Sequence, residues 1–177
     1  MQDIEAVYRG HRRGLYLLAL SIVGRRDLAE DAVHEAFVGL ARAAGRGVAP
    51  GRDWVSYAYG AVRNAALDMV RRGPWRRALS GLEEAGASLF ASPEPDPSRA
   101  GEEAEEQRLA MEAVDRLPAE QREVVVMRLM GELSFQQIAQ ALGEPLATVA
   151  SRYRRALERL REGLESRAAA TGGVSKP

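Results

Sequence analysis

From Ile4 to Val23 the apolar residues Ile4, Val7, Tyr8, Leu15, Leu18, Ala19 and Ile22 recur at three- and four-residue spacing, and Gly24 ends the run. That period is one face of an α-helix. A second helix is predicted from Asp27, with Glu30 three residues on in a capping-box arrangement, burying Leu28, Ala32, Val33, Ala36, Phe37, Leu40 and Ala41. Residues 44–51, AGRGVAPG, read as a loop. A third helix is predicted from about Arg52 to Arg72, carrying Trp54, Val55, Tyr57, Ala58, Ala61, Val62, Ala65, Leu67 and Val70. No segment sustains the two-residue alternation of a strand, so the fold class expected is all-α, opening with a helical domain over residues 1–73.

Gly73-Pro74 breaks the pattern, and residues 92–98, SPEPDPS, cannot form a helix interior, because proline lacks a donor and restricts its predecessor. Residues 74–100 are therefore expected to form a flexible acidic linker, with room for a short helix between Ala78 and Leu89. From about Ala100 helicity returns through Leu109, Val114 and Leu117, stops at Pro118, and resumes from Ala119 to Met130. A second small domain of about four helices is expected over residues 101–167, followed by a disordered tail at 168–177.

The last part of that domain, Ser134 to Glu162, has the outline of a helix-turn-helix. Ser134 and Gln137 form a capping box, Ile138, Ala141 and Leu142 share a face, Gly143 can close the helix, and Pro145 can open the next. In the second helix Val149, Tyr153, Ala156, Leu157, Leu160 and Leu164 make a core-facing stripe. Thr148, Ser151, Arg152 and Arg155 point the other way, with Arg159 one turn further on. Arginine can take two acceptors on a guanine edge or grip phosphate, and hydroxyls reach backbone or bases, so this face suits duplex DNA. On an isolated helix such residues would more simply solvate a surface.

Net charge is zero over 177 residues, but its distribution is uneven. Arg63 to Arg77 holds five arginines against one aspartate, and Leu146 to Arg161 five arginines against one glutamate. Between them Glu83 to Glu106 holds eight acids against one arginine. Two basic patches around an acidic connector suggest two contacts with a polyanion. With no cysteine, disulfides and thiolate metal sites are excluded, and His11 and His34 alone do not make a metal centre. No metal or other cofactor is expected. There is no apolar run long enough to span a bilayer, and MQDIEAVYRG lacks a signal peptide's pattern, so a cytoplasmic protein without membrane insertion is expected.

Taken in order, these segments resemble the extracytoplasmic-function (ECF) group of bacterial sigma-70-type RNA polymerase sigma factors. DLAEDAVHEAFVGL (Asp27 to Leu40) is similar to the region that docks on core polymerase. WVSYAYGAVRNAALDMVRR (Trp54 to Arg72) is similar to the region that melts and reads the −10 promoter element. Leu117 to Arg161 is similar to the region that reads the −35 element. The chain departs from the usual pattern at His34, Gln137, Ala147 and Ala150.

The resemblance implies two nucleic-acid surfaces and one protein surface. Thr148, Ser151, Arg152, Arg155 and Arg159 would meet the −35 element. Asn64 would contact a base of the −10 element and Arg63, Arg71 and Arg72 its backbone, with Asp68 orienting a neighbouring arginine. Trp54 and Tyr57, at helical spacing, read as core before stacking platforms. Asp31, His34, Glu35 and Val38 would dock on core polymerase. The implied partners are core RNA polymerase, promoter DNA and an anti-sigma factor. A stand-alone helix-turn-helix regulator is the alternative. A helical hydrolase with metal on Asp27, Glu30 and Asp31 lacks a second ligand-bearing helix.

Overall fold

The computed structural model describes residues 4–47, 53–72 and 101–171, with side chains over 108–166 of the last segment. Every regular element among them is helical. The acidic linker and the expected helix between Ala78 and Leu89 lie outside the described residues.

Three helices form the first unit: α1 (Ile4–Val23), α2 (Arg26–Gly45) and α3 (Trp54–Arg72). Leu15, Leu18, Ala19 and Val23 of α1 are fully buried, as are Ala29 and Ala32 of α2 and Tyr59, Val62 and Ala66 of α3. The start of α2 differs from the predicted capping box. Arg25 holds the cap position in extended backbone with no side-chain cap bond, and Asp27 lies inside the first turn, paired with Arg25. For α3 the cap is Asp53, one residue past the expected start: its carboxylate accepts from the amides of Val55 and Ser56 at 3.3 Å and from the Ser56 hydroxyl at 3.2 Å.

The second unit holds four helices, α4 (Gly101–Asp115), α5 (Ala119–Val125), α6 (Phe135–Leu142) and α7 (Leu146–Thr171). A π-helical turn, Val126–Met130, extends α5 without a break. The turn between α5 and α6 is buttressed by Arg128, whose guanidinium donates to the Leu133 carbonyl at 3.0 Å and lies over the Phe135 ring. Helix α6 opens with the Ser134–Gln137 capping box and closes on Gly143 at φ 69°, the left-handed conformation that glycine adopts without a Cβ clash. The turn to α7 is residues 143–145, as the glycine and proline predict. Helix α7 runs to Thr171, beyond the expected start of a disordered tail at residue 168, while 172–177 lie outside the described residues.

The apolar stripe of α7 is only partly covered. Val149 and Ala156 are fully buried, whereas Leu157 and Leu164 are exposed. Periodicity identifies the face but not whether another element lies on it. One continuous core runs through both units, because α3 packs on α6 and α1 packs on α5 and the π turn.

Candidate nucleic-acid interface

On α3, Tyr57, Asn64 and Arg71 stand seven residues apart and so share one face. All three are exposed. Arg71 and Arg72 reach Asp68 at 3.7 and 3.4 Å, so the aspartate holds both arginine stems along the last turn. Trp54 is half-buried against the core, as its spacing predicts; Tyr57, 44% exposed, departs from the same expectation and packs edge to face with Trp54 at 6.2 Å between ring centroids. Arg63 is turned away from this face. Its Nε donates to Glu123 of α5 at 2.5 Å, and the pair is largely buried.

In the helix-turn-helix, Thr148, Ser151, Arg152 and Arg155 line one groove with Pro118, Ala119, Glu120 and Gln121 at the start of α5. The structure thus brings four of the five predicted residues together. Arg159 lies in a different hollow, with Leu109, Arg116 and Leu164. Arg155 and Arg159 are exposed, but Arg152 is clasped between Glu120 at 3.0 Å and Glu144 at 2.6 Å. Burial opposes its charge, yet the Glu144 hydrogen bond and the Glu144, Glu120 and Glu123 charges hold its pKa above the ordinary arginine value. Arg152 therefore brackets the start of α5 to the turn before α7, a role that sequence spacing does not disclose. Glu144, inside the turn, is the one local sign of such a partner.

On α2, Asp31, His34 and Glu35 are exposed and Val38 is half-buried, a patch at three- and four-residue intervals. His34 also edges a groove between α1 and α2 whose floor includes Tyr8 and Phe37, packed edge to face at 5.0 Å. Among the described residues no three His, Cys, Asp or Glu side chains gather to hold a metal ion, and no helix is long and apolar enough to cross a membrane.

Asp53 joins the two units, for it also accepts from Gln137 Nε2 of α6 at 2.7 Å. Burial alone would raise its pKa, but the bonds from Gln137, Val55 and Ser56 together hold it below the ordinary 3.8. A depressed carboxylate contributes stability that is complete above the unfolded value and is lost as pH falls through the folded one. Asp53→Asn is therefore expected to be less stable than the parent at neutral pH and to lose less stability on acidification below about pH 4. Urea midpoints measured across that range check it; parallel pH curves for the two proteins would contradict the assignment.

The fold and its two basic faces define a class, an all-helical protein that carries a helix-turn-helix beside a second arginine-bearing helix. Residues 7–76 match the family model "Sigma-70 region 2" and residues 107–160 match "Sigma-70, region 4". The chain belongs to the sigma-70 family, in its ECF group. It is 30% identical over 171 residues to the ECF RNA polymerase sigma factor SigE of Mycolicibacterium smegmatis, covering 97% of this chain and 65% of that protein. It is 40% identical over 96 residues to the RNA polymerase sigma-E factor of Streptomyces avermitilis, covering 54% of this chain and 52% of that one. The chain thus spans between about half and two thirds of the length of these curated relatives. In fold it is similar to the sigma factor RpoE solved in complex with the anti-sigma factor NepR from Bartonella quintana, with a TM-score of 0.62 at 23% identity over 85% of this chain and 89% of that one.

Proposed function

We propose that this chain is a promoter-specificity subunit that binds core RNA polymerase and directs initiation by recognising −35 and −10 elements, acting in the cytoplasm by binding and not by catalysis. The observation that carries the reading is the capped, glycine-closed helix-turn-helix in one chain with the exposed Tyr57, Asn64 and Arg71 face, in the order of the two sigma regions. Helix α7 would hold the upstream duplex through Thr148, Ser151, Arg155 and Arg159, with Arg152 positioning its N-terminal end. Helix α3 would open the downstream element. Unstacking a step costs a few kcal/mol. Stacking of a displaced base on Tyr57, worth about 1–3 kcal/mol, offsets that cost. The Asn64 amide offers both donor and acceptor to a base edge, and Arg71 and Arg72 are placed for phosphates.

The α2 patch of Asp31, His34, Glu35 and Val38 would dock on polymerase, its two carboxylates suited to arginines on the partner. An anti-sigma factor is a further partner by kinship with the Bartonella protein. Reconstitution with core polymerase on a randomised promoter library tests the reading, with discrete start sites preceded by two enriched sequence blocks as the expected result. If the chain binds a duplex specifically by itself and core never initiates with it, a stand-alone regulator replaces the sigma subunit.

A further inference from the structure

No charged residue lies between Leu146 and Ser151, and Arg152, the first arginine of α7, is spent on Glu120 and Glu144. What the leading turns of the helix expose instead is an apolar tip, made by Leu146 at 52% exposure together with Ala147 and Ala150. Ala147 lines the same groove as Ser151 and Arg155. Ala147, Ala150, Ser151 and Arg154 stand at i, i+3, i+4 and i+7 and so share one face, and Leu146 lies one turn before Ala150 on its flank. The first exposed cations of the helix are Arg154 and Arg155. Arg154 comes four residues beyond Ala150, which is about 6 Å along the axis, or roughly two base pairs at 3.4 Å each.

A helix in the major groove reads base edges with the residues of its leading turns. A methyl or isobutyl group there can neither donate nor accept a hydrogen bond. Set against the N7 and O6 of guanine or the amino group of cytosine, it strips water from a polar group and returns nothing. The C5 methyl of thymine is the apolar feature of a base edge in that groove, and it is the partner that such side chains fit. Alanines also let the backbone come close, so that a short Cβ reaches the base.

We propose that Leu146, Ala147 and Ala150 are specificity residues of the upstream element, selecting thymine by its methyl group at the base pairs beneath the tip, while Arg154 and Arg155 take hydrogen-bond acceptors further along the groove. The proposal rests on the promoter reading above and deepens it, because it assigns a base type to a place on the helix. The clasp on Arg152 is what sets it, since a free guanidinium at that point would offer two donors to guanine.

The test uses core polymerase carrying the full chain and a promoter enriched from the randomised library. Each thymine of its −35 block is replaced in turn by deoxyuridine, which pairs identically and lacks only the methyl. At one or more positions the replacement is expected to weaken binding about fourfold, the worth of one buried methyl-sized group. Two variants then remove the partner: Ala150→Ser places a hydroxyl in the tip, and Leu146→Ala shortens it. Both positions are exposed, so thermal midpoints should stay in place. In at least one variant the deoxyuridine penalty is expected to fall below about 1.5-fold, a coupling between side chain and methyl that a merely structural role would not produce.

Penalties that stay equal in the parent and both variants would overturn the proposal. So would a −35 block without thymine, or one in which no replacement costs more than about 1.5-fold. If core polymerase never initiates with the chain, the promoter reading fails, and the same replacement scan on duplexes selected by the chain alone decides the methyl contact.

Discussion

Ile138→Ala is expected to lower the unfolding free energy of the full chain by about 2–5 kcal/mol, the range for truncating a buried isoleucine whose surroundings collapse only in part. Ile138 has no exposed surface and sits midway along α6, between the Ser134 cap and the Gly143 close. Its loss leaves a cavity where the first helix of the helix-turn-helix meets the common core. With a shift of about 2–4 °C per kcal/mol for a chain of this size, the midpoint should fall by about 4–20 °C in a thermal scan. Leu157→Ala is the internal control. Leu157 is 43% exposed on α7, and its truncation should stay within about 0.5 kcal/mol. A cost below about 1 kcal/mol for Ile138→Ala would mean that α6 is not packed as described.

The contrast between these two residues shows which parts of the fold are legible in the amino-acid sequence. The helix-turn-helix can be read there because each of its determinants is local: a serine that bonds an amide three residues on, a glycine at positive φ, a proline before the next helix and an apolar period. Ile138 and Leu157 satisfy the same period, yet only one is covered, because burial depends on a partner element that the period does not name. Caps are readable where the side chain closes on its own turn and ambiguous where two candidates stand close together. Asp27 followed by Glu30 looks like a cap, but the backbone turns into α2 earlier, at Arg25, and Asp27 is spent on an ion pair. At α3 the cap falls on Asp53 and not on Arg52, since only the carboxylate can accept from Val55 and Ser56.

The site divides in the same way. Asn64, Arg71 and Arg155 can be chosen from helical phase and residue type, and the structure leaves all three exposed. Arg63 and Arg152 have the same chemistry and a compatible phase, yet each is engaged by glutamates: Glu123 is sixty positions from Arg63, and Arg152 is held by Glu120 and Glu144 on separate segments. A long-range ion pair leaves no periodic trace. Tyr57 escapes sequence reasoning for the opposite reason, because aromatics at helical spacing are core more often than not, and here the residue falls just outside the covered arc.

Arg155→Ala and Asn64→Ala are expected to separate the two proposed tasks. If Arg155 makes a bidentate contact with a base pair of the upstream element, its removal costs about 1–3 kcal/mol, or roughly 5- to 140-fold in affinity for a −35 duplex. Asn64→Ala should leave that affinity unchanged and instead reduce the fraction of promoter that polymerase carrying the variant opens, because its amide is offered only to a displaced base. Duplex affinity measured by fluorescence anisotropy and strand opening measured by permanganate reactivity distinguish the two losses. Arg152→Ala supplies a third pattern. Removing the clasp frees Glu120 and Glu144 beside the groove, so affinity should fall together with the thermal midpoint, whereas Arg155, being exposed, should leave the midpoint in place. Equal losses of duplex binding and opening from both Arg155→Ala and Asn64→Ala would sink the division of labour between α7 and α3.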